Sequence, residues 1–537
     1  MLSRTIQART ILRAEDVSVG YPAAQFLAST ILSLCNSSKT NFEDPDFGPE
    51  LTERGQDLEE EINMTLKKQL SDAAYQSINK TFTRAEARRS KCLTNISGPS
   101  GPVPSDLKWV ANSIDTSFVV SADATPSFPV QGSVGDCWLL GAMSMVAICR
   151  PKLLQEIFVC PTGDWASADK RSRHGAMPMS ARDVYVVRLF YELKWHYVVI
   201  DGRVPRGATS SGRPTFARCA DSNEMWVSLI EKAAAKLAGG YDKLHMAGTV
   251  DFGVHMLTGC STHTIRCGGF QSLSTGTSEE KEEKEDTTTS IAAKLIKNET
   301  SKSTRNAMYA QIQQYLEAGF LLGCERQQRL GTTKISAKSP SAKAAFTDED
   351  GMLLRHAYVV LDVSEVNGTR LVRLINPWMV NPWPTGQFHG AWSRTSDEAK
   401  ENASQVSKSF GEKIRRSENN QMMQQYVPSY NPNGKNNTDS DLATDDDNSD
   451  TEEQSLQDST GSERTPLDFL MSFDHFVETM SHVHVGFVNP LDPKSWTICS
   501  VQGTWAGKVG GCAMPNNDLD KWSRNPRYKL NVPELNV

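Results

Sequence analysis

The chain reads as an α+β protein, and three stretches carry that reading. "DVYVVRLFYELKWHYVVIDGRVP" (183–205) holds two runs rich in β-branched and aromatic residues, the pattern of paired strands. "CWLLGAMSMVAIC", from Cys137, is apolar nearly all round, as a helix buried on every side must be. "HAYVVLDVSEVNGTRLVRLIN" places two β-rich runs on either side of Asn367-Gly368, a dipeptide that favours a tight hairpin turn.

Taken in order, residues 1–106 read as an extension. "MLSRTIQARTILRAED" has three arginines before its first acid and reads as a disordered or helical arm, with a transit-like helix as the alternative. From Leu58, residues Ile62, Leu66, Leu70, Ala74 and Ile78 recur near helical spacing and predict an amphipathic helix packed on the main body. Residues 107–267 read as a globular unit. In it, "SNEMWVSLIEKAAAKLAGG" predicts a helix capped by Ser222, with Glu224 in its first turn and a glycine stop. Residues 268–488 read as a second unit interrupted by three polar insertions, at about 271–303, 326–350 and 405–463. These bury too little apolar surface to order alone and are expected to be disordered. Residues 489–537 read as a β segment.

Composition narrows the function classes. The 537 residues suit two to four domains, and 38% hydrophobic with 23% charged residues is ordinary for a soluble globular chain. The net charge of −7 is concentrated in "DSDLATDDDNSDTEEQSLQDSTGSE", and no basic block offsets phosphate, which argues against a nucleic-acid partner. Eleven cysteines without CxxC spacing or paired histidines disfavour structural zinc and a disulfide framework. The odd count suits a reducing compartment, so an intracellular, cytoplasmic location is expected. No window of about 18 apolar residues predicts a membrane span.

One constellation carries chemistry. A two-residue turn at Asn367-Gly368 sets His356 opposite Met379 and Asn376 opposite Val359, so His356 and Asn376 lie near one another on adjacent strands. Cys137 follows Gly135-Asp136 at the start of the apolar helix, where the positive end of the helix dipole lowers a thiol's pKa. Cysteine, histidine and an orienting amide form a nucleophilic triad. Gln131, one short loop before the cysteine, is placed to donate to a developing oxyanion beside the Cys137 N–H.

"QGSVGDCWLLGAM", "RHAYVVLDV" and "LINPW" closely resemble the three active-site motifs of the calpain cysteine proteases. "NFEDPDFGP", "AGFLLGC", "GAWS" and "FLMSFDHF" resemble further calpain core segments in order, so the similarity covers about Trp109 to Val488. The resemblance implies a two-lobed, papain-like core with a cleft between the lobes. It implies Cys137 as nucleophile, His356 as general acid/base, Asn376 as orienter and Gln131 at the oxyanion hole. Gly135 and Trp378 are implied substrate-side residues, and Trp378 matches the tryptophan that shields the Asn–His contact. The C-terminal segment looks like the opening strands of a truncated C2-like β-sandwich.

Calpain cores also hold two calcium ions on loops. At the matching positions this chain has Phe128, Pro382, Arg394 and Pro466, leaving Glu224 and Asp468 as the acidic candidates. Calcium takes six to eight oxygen ligands, so calcium is expected from the family while most ligand positions here are not acidic, and no cofactor is expected to be required. The implied activity is endopeptidase cleavage of intracellular proteins, with regulatory partners met through the acidic insertions. The alternative is a catalytically silent calpain-like scaffold. A transglutaminase-like acyl transferase would place an aspartate where Asn376 stands.

Overall fold

The computed structural model describes residues 9–10, 14–69, 97–98, 101–102, 107–111, 118–120, 127–159, 177–191, 194–207, 214–244, 248–267, 287–326, 350–353, 356–376, 388–411, 413–417, 420–427, 430, 468–488 and 501–502. The fold is α+β, as predicted.

The chain opens with two helices, α1 (Ala14–Ser38) and α2 (Glu53–Gln69). Leu58, Ile62 and Leu66 face inward from α2 as their spacing requires; Leu70, Ala74 and Ile78 lie outside the described residues. They meet Leu27, Ile31 and Cys35 of α1, which had no counterpart in the sequence reading, in a separate apolar cluster with Val184, Val186 and Val199. Next come α3 (Cys137–Cys149) and α4 (Pro151–Ile157), and then the hairpin of β1 (Tyr185–Tyr191) and β2 (Lys194–Ile200). From Trp138 onward α3 is buried at every position, as its all-round apolar sequence demands.

Helix α5 (Trp226–Ala238) begins later than predicted. Its first flanking residue is Met225, without a side-chain cap, and Glu224 lies before the helix, bonded elsewhere. Burial of Trp226, Val227, Leu229 and Ile230 supplies the stabilisation that a Ser222 cap was expected to give. The glycine stop is as expected: Gly239 closes the helix at φ 100°.

After α6 (Val250–Thr258) comes a six-stranded antiparallel sheet. Its elements are β3 (Ser261–Arg266), α7 (Thr287–Glu317), β4 (Leu321–Arg326), β5 (His356–Val366), β6 (Thr369–Ile375), α8 (Asp397–Glu401), α9 (Ala403–Ser409), the separate hairpin β7 (Lys413–Ser417) and β8 (Asn420–Val427), β9 (Asp468–Ser472), α10 (Phe473–Thr479) and β10 (His482–Phe487). The order is β3-β10-β4-β5-β6-β9. Its inner face meets α3 and α6 so closely that a Cβ on Gly323 would fall 2.9 Å from Met145 Sδ. One hydrophobic cluster runs through both halves, from Phe47 to Val488.

Two of the expected insertions are shorter than predicted. The first ends by Thr287, where α7 begins; its last turns bury Met308, Tyr309, Ile312, Tyr315 and Leu316, and a helix nucleated there extends backward at little cost. The third holds α9 and the β7–β8 hairpin, because Val406, Phe410 and Tyr430 are buried in one cluster with Val366, Leu371, Trp392 and Leu470. The 326–350 stretch overlaps the described residues only at Arg326 in β4 and at Asp350, and the expected C-terminal β segment only at Val501–Gln502.

Candidate active site

Cys137 is the first residue of α3, and the main-chain oxygen of Asp136 accepts the first helical bonds from Leu139 (2.8 Å) and Leu140 (3.2 Å). His356 opens β5, and Asn376 directly follows β6. The Asn367-Gly368 turn forms as predicted, with φ 48° and 80°, the pair of positive values that a type I′ turn requires. From Val366↔Thr369 the pairing runs in the predicted register to Val363↔Val372. An irregularity between Val360 and Asp362 then slips it by one, so that Val359 pairs Ile375. The slip draws the two polar residues one position closer than the straight ladder would.

Their side chains meet. His356 Nε2 lies 2.8 Å from Asn376 Oδ1, and with that oxygen as acceptor the ring proton sits on Nε2, leaving Nδ1 to take a proton from a thiol. Tyr358 sets its ring edge-on to the imidazole at 5.0 Å. Helix α3 lies against this strand: a Cβ on Gly141, one turn into the helix, would sit 3.3 Å from the Ala357 Cβ. The fold thus brings the residue after His356 onto the helix that Cys137 begins.

The electrostatics differ from the expectation for Cys137. Burial, then the Asp136 charge, push its thiol up to about 12, and these outweigh the helix terminus. Burial pulls the His356 imidazole down to about 4 against the opposing Asn376 hydrogen bond. Gln131 is half-buried on the loop before Cys137, but its Nε2 donates to Val134 O at 2.7 Å, which holds the loop closed. Gly135 is on the same loop, and Gly132 beside it fits only as glycine, since a Cβ there would fall 2.3 Å from the Phe216 carbonyl carbon. Trp378 and Pro382 lie outside the described residues.

The model of the calpain family of cysteine proteases matches residues 90–425, more than half of the chain. The chain belongs to the calpain family. Among similar proteins, the calpain-type cysteine protease ADL1 of Oryza sativa subsp. japonica is 25% identical over 433 residues, 80% of this chain and 14% of the relative. The calpain-type cysteine protease DEK1 of Arabidopsis thaliana is 30% identical over 281 residues, 52% of this chain and 10% of the relative. Calpain-8 of Rattus norvegicus is 28% identical over 308 residues, 56% of this chain and 34% of the relative. The matched stretches therefore span from about a tenth to about a third of the length of these calpains.

The calpain calcium positions can be tested on the residues present. Asp468 is buried at the start of β9, and its Oδ2 accepts from Arg373 Nε at 2.6 Å. The Nη2 groups of Arg373 and Arg394 close on its two oxygens, and Arg394 Nε donates to its main-chain oxygen at 2.8 Å. Two guanidinium groups already balance that carboxylate, so its surroundings as they stand do not fit calcium. Glu224 accepts from the Ser127 N–H at 2.7 Å, and Phe128, where the family has an acid, packs on the apolar core. Arg373, which holds Asp468, is not among the candidate residues read from the sequence. Its signal in the sequence is a lone charge inside the apolar run "LVRLI".

Proposed function

We propose that the chain is a cysteine endopeptidase that cleaves protein substrates through Cys137, His356 and Asn376. The observation that carries this is the 2.8 Å His356–Asn376 bond on a strand packed against the helix that Cys137 begins. His356 Nδ1 removes the thiol proton as sulfur attacks the scissile carbonyl, then gives it to the leaving amine; the thioester left on Cys137 is hydrolysed by water. Asn376 keeps Nε2 protonated and the ring oriented. In the attack state, Gln131 exchanges its Val134 bond for the oxyanion, beside the Cys137 N–H. No divalent metal takes part in this reading, because arginine side chains occupy the carboxylate it would need. Protein substrates fit the reading. Among the described residues no helix is long and apolar enough to cross a membrane.

A specific observation favours a second reading, a calpain-like scaffold without turnover: the Gln131 amide is already engaged by Val134 O, while burial raises the Cys137 thiol and lowers the His356 imidazole. Labelling with a vinyl-sulfone or epoxide thiol probe, followed by a peptidase assay, separates the two. The protease reading expects Cys137 to be modified and turnover to vanish in Cys137→Ala. Turnover that persists in Cys137→Ala, or a wild type without turnover, rejects it.

A further inference from the structure

One hydrogen bond fixes an atom of a ring, not the plane of the ring. The bond between His356 Nε2 and Asn376 Oδ1 leaves the imidazole able to rock about it, and rocking swings Nδ1 away from a thiol. Holding the plane takes a second contact.

Tyr358 stands two residues after His356 on β5, so the alternation of a strand puts both side chains on one face. Its ring meets the imidazole edge-to-face, with centroids 5.0 Å apart and planes at 85°. The tyrosine has no room to move aside. It is fully buried, and Phe469 of β9 backs it at 6.1 Å with planes at 90°. Its hydroxyl accepts the N–H of Leu353 at 2.9 Å, so the side chain reaches back past His356 to the segment that leads into the strand. That segment is anchored in turn: Met352 and Leu353 are buried, and Asp350 O accepts the His389 N–H at 2.9 Å.

We propose that Tyr358 is a positioning residue, whose buried ring sets the plane of the His356 imidazole while its bond to the Leu353 N–H holds that ring in place. Asn376 and Tyr358 then divide the task. Asn376 fixes where Nε2 points and which nitrogen carries the proton; Tyr358 fixes the tilt of the ring, and with it the direction of Nδ1. An edge-to-face contact suits this task because its energy depends on the angle between the rings. An aliphatic side chain would fill the volume without selecting an angle. The hydroxyl gives a reason for tyrosine over phenylalanine, since without it the buried Leu353 N–H loses its acceptor. The inference rests on the endopeptidase reading for its purpose but not for its first test.

That test reads the imidazole itself, by nitrogen NMR of histidine-labelled wild type, Tyr358→Phe and Tyr358→Leu, with His356 assigned by its loss in His356→Gln. Wild type should show one tautomer, with the proton on Nε2. Tyr358→Leu should mix in the other tautomer and speed exchange of the Nε2 proton with water about tenfold. Tyr358→Phe keeps the ring but loosens it and should speed exchange about threefold, which serves as the test if Tyr358→Leu does not fold. Peptidase turnover follows on the same samples, counted per site titrated with a vinyl-sulfone probe. In Tyr358→Leu it should fall about tenfold with KM within about twofold, because a tilted base slows the chemistry and leaves binding alone. Ring signals and exchange equal to wild type in both variants would overturn the positioning role, whatever the melting temperature does. Turnover held within about twofold in Tyr358→Leu would overturn it as well. Ring signals that respond as expected in a protein whose wild type has no turnover would keep Tyr358 in its role and reject the endopeptidase reading instead.

Discussion

Asn376 acts on His356 through one hydrogen bond, so its removal has a definite expected size. A net hydrogen bond is worth about 1 kcal/mol, and Asn376→Ala should lower turnover on the order of tenfold and the melting temperature by a few degrees. His356 itself sets a pH dependence. Its folded pKa, about 4, lies below the free imidazole value, so the stability that depends on its neutrality is present above about pH 6.5 and lost as pH falls toward 4. Urea titrations at both pH values, compared with His356→Gln, should show wild type losing about 3 kcal/mol more, and equal losses would contradict a buried neutral imidazole. At this scale the sequence was informative where chemistry and punctuation coincide. Cys137 after Gly135-Asp136, and His356 and Asn376 flanking an Asn-Gly turn, are all where their neighbours said they would be. The raised thiol was not legible, because desolvation comes from side chains distant in the chain.

Among the elements, those with a dense periodic pattern were readable and those held by a few anchors were not. The β1–β2 hairpin, α3 and the β5–β6 hairpin each bury residues at the positions their pattern assigns. The one-residue slip near Leu361 has no local signature, because it answers to packing across the sheet. Residues 405–430 were read as part of an insertion since Val406, Phe410 and Tyr430 are sparse among polar neighbours. Those three residues nonetheless seal a cluster against Val366 and Leu470, with Phe410 fully buried and Phe410 O accepting the Tyr430 N–H at 2.8 Å. Phe410→Ala should cost about 3 kcal/mol in urea unfolding, as large-to-small changes at filled sites do. A cost below about 0.5 kcal/mol would mean that the segment is dispensable after all.

For the molecule as a whole, internal cations stand where an exchangeable ion would otherwise be required. The N-terminal segment is tied down this way: Lys236 reaches both oxygens of Asp44, at 2.8 and 2.9 Å, and Asp44 N–H donates to Asp201, which also holds Lys232 and Arg203. Asp44→Ala takes from the buried Lys236 ammonium its two closest carboxylate contacts, leaving it Val199 O and Asp46, and should cost about 3 kcal/mol. At the other end of the fold the same logic governs calcium. Asp468 meets Arg373 and Arg394, and the Tyr430 ring lies 5.5 and 4.9 Å from their guanidinium carbons, joining the β7–β8 side of the molecule to the sheet. For calcium to bind, that carboxylate would have to leave the guanidinium groups of buried Arg373 and half-buried Arg394, and the further ligands would have to come from positions such as Arg394 and Pro466, which offer no carboxylate. Any peptidase activity is therefore expected to be flat from chelator to millimolar calcium, with a melting temperature that does not respond to either. Calorimetry beside a peptidase assay decides the matter. Micromolar binding with a steep rise in turnover would show that the arginines yield to the ion, whereas turnover without any calcium binding would mean that Arg373 and Arg394 already do its work.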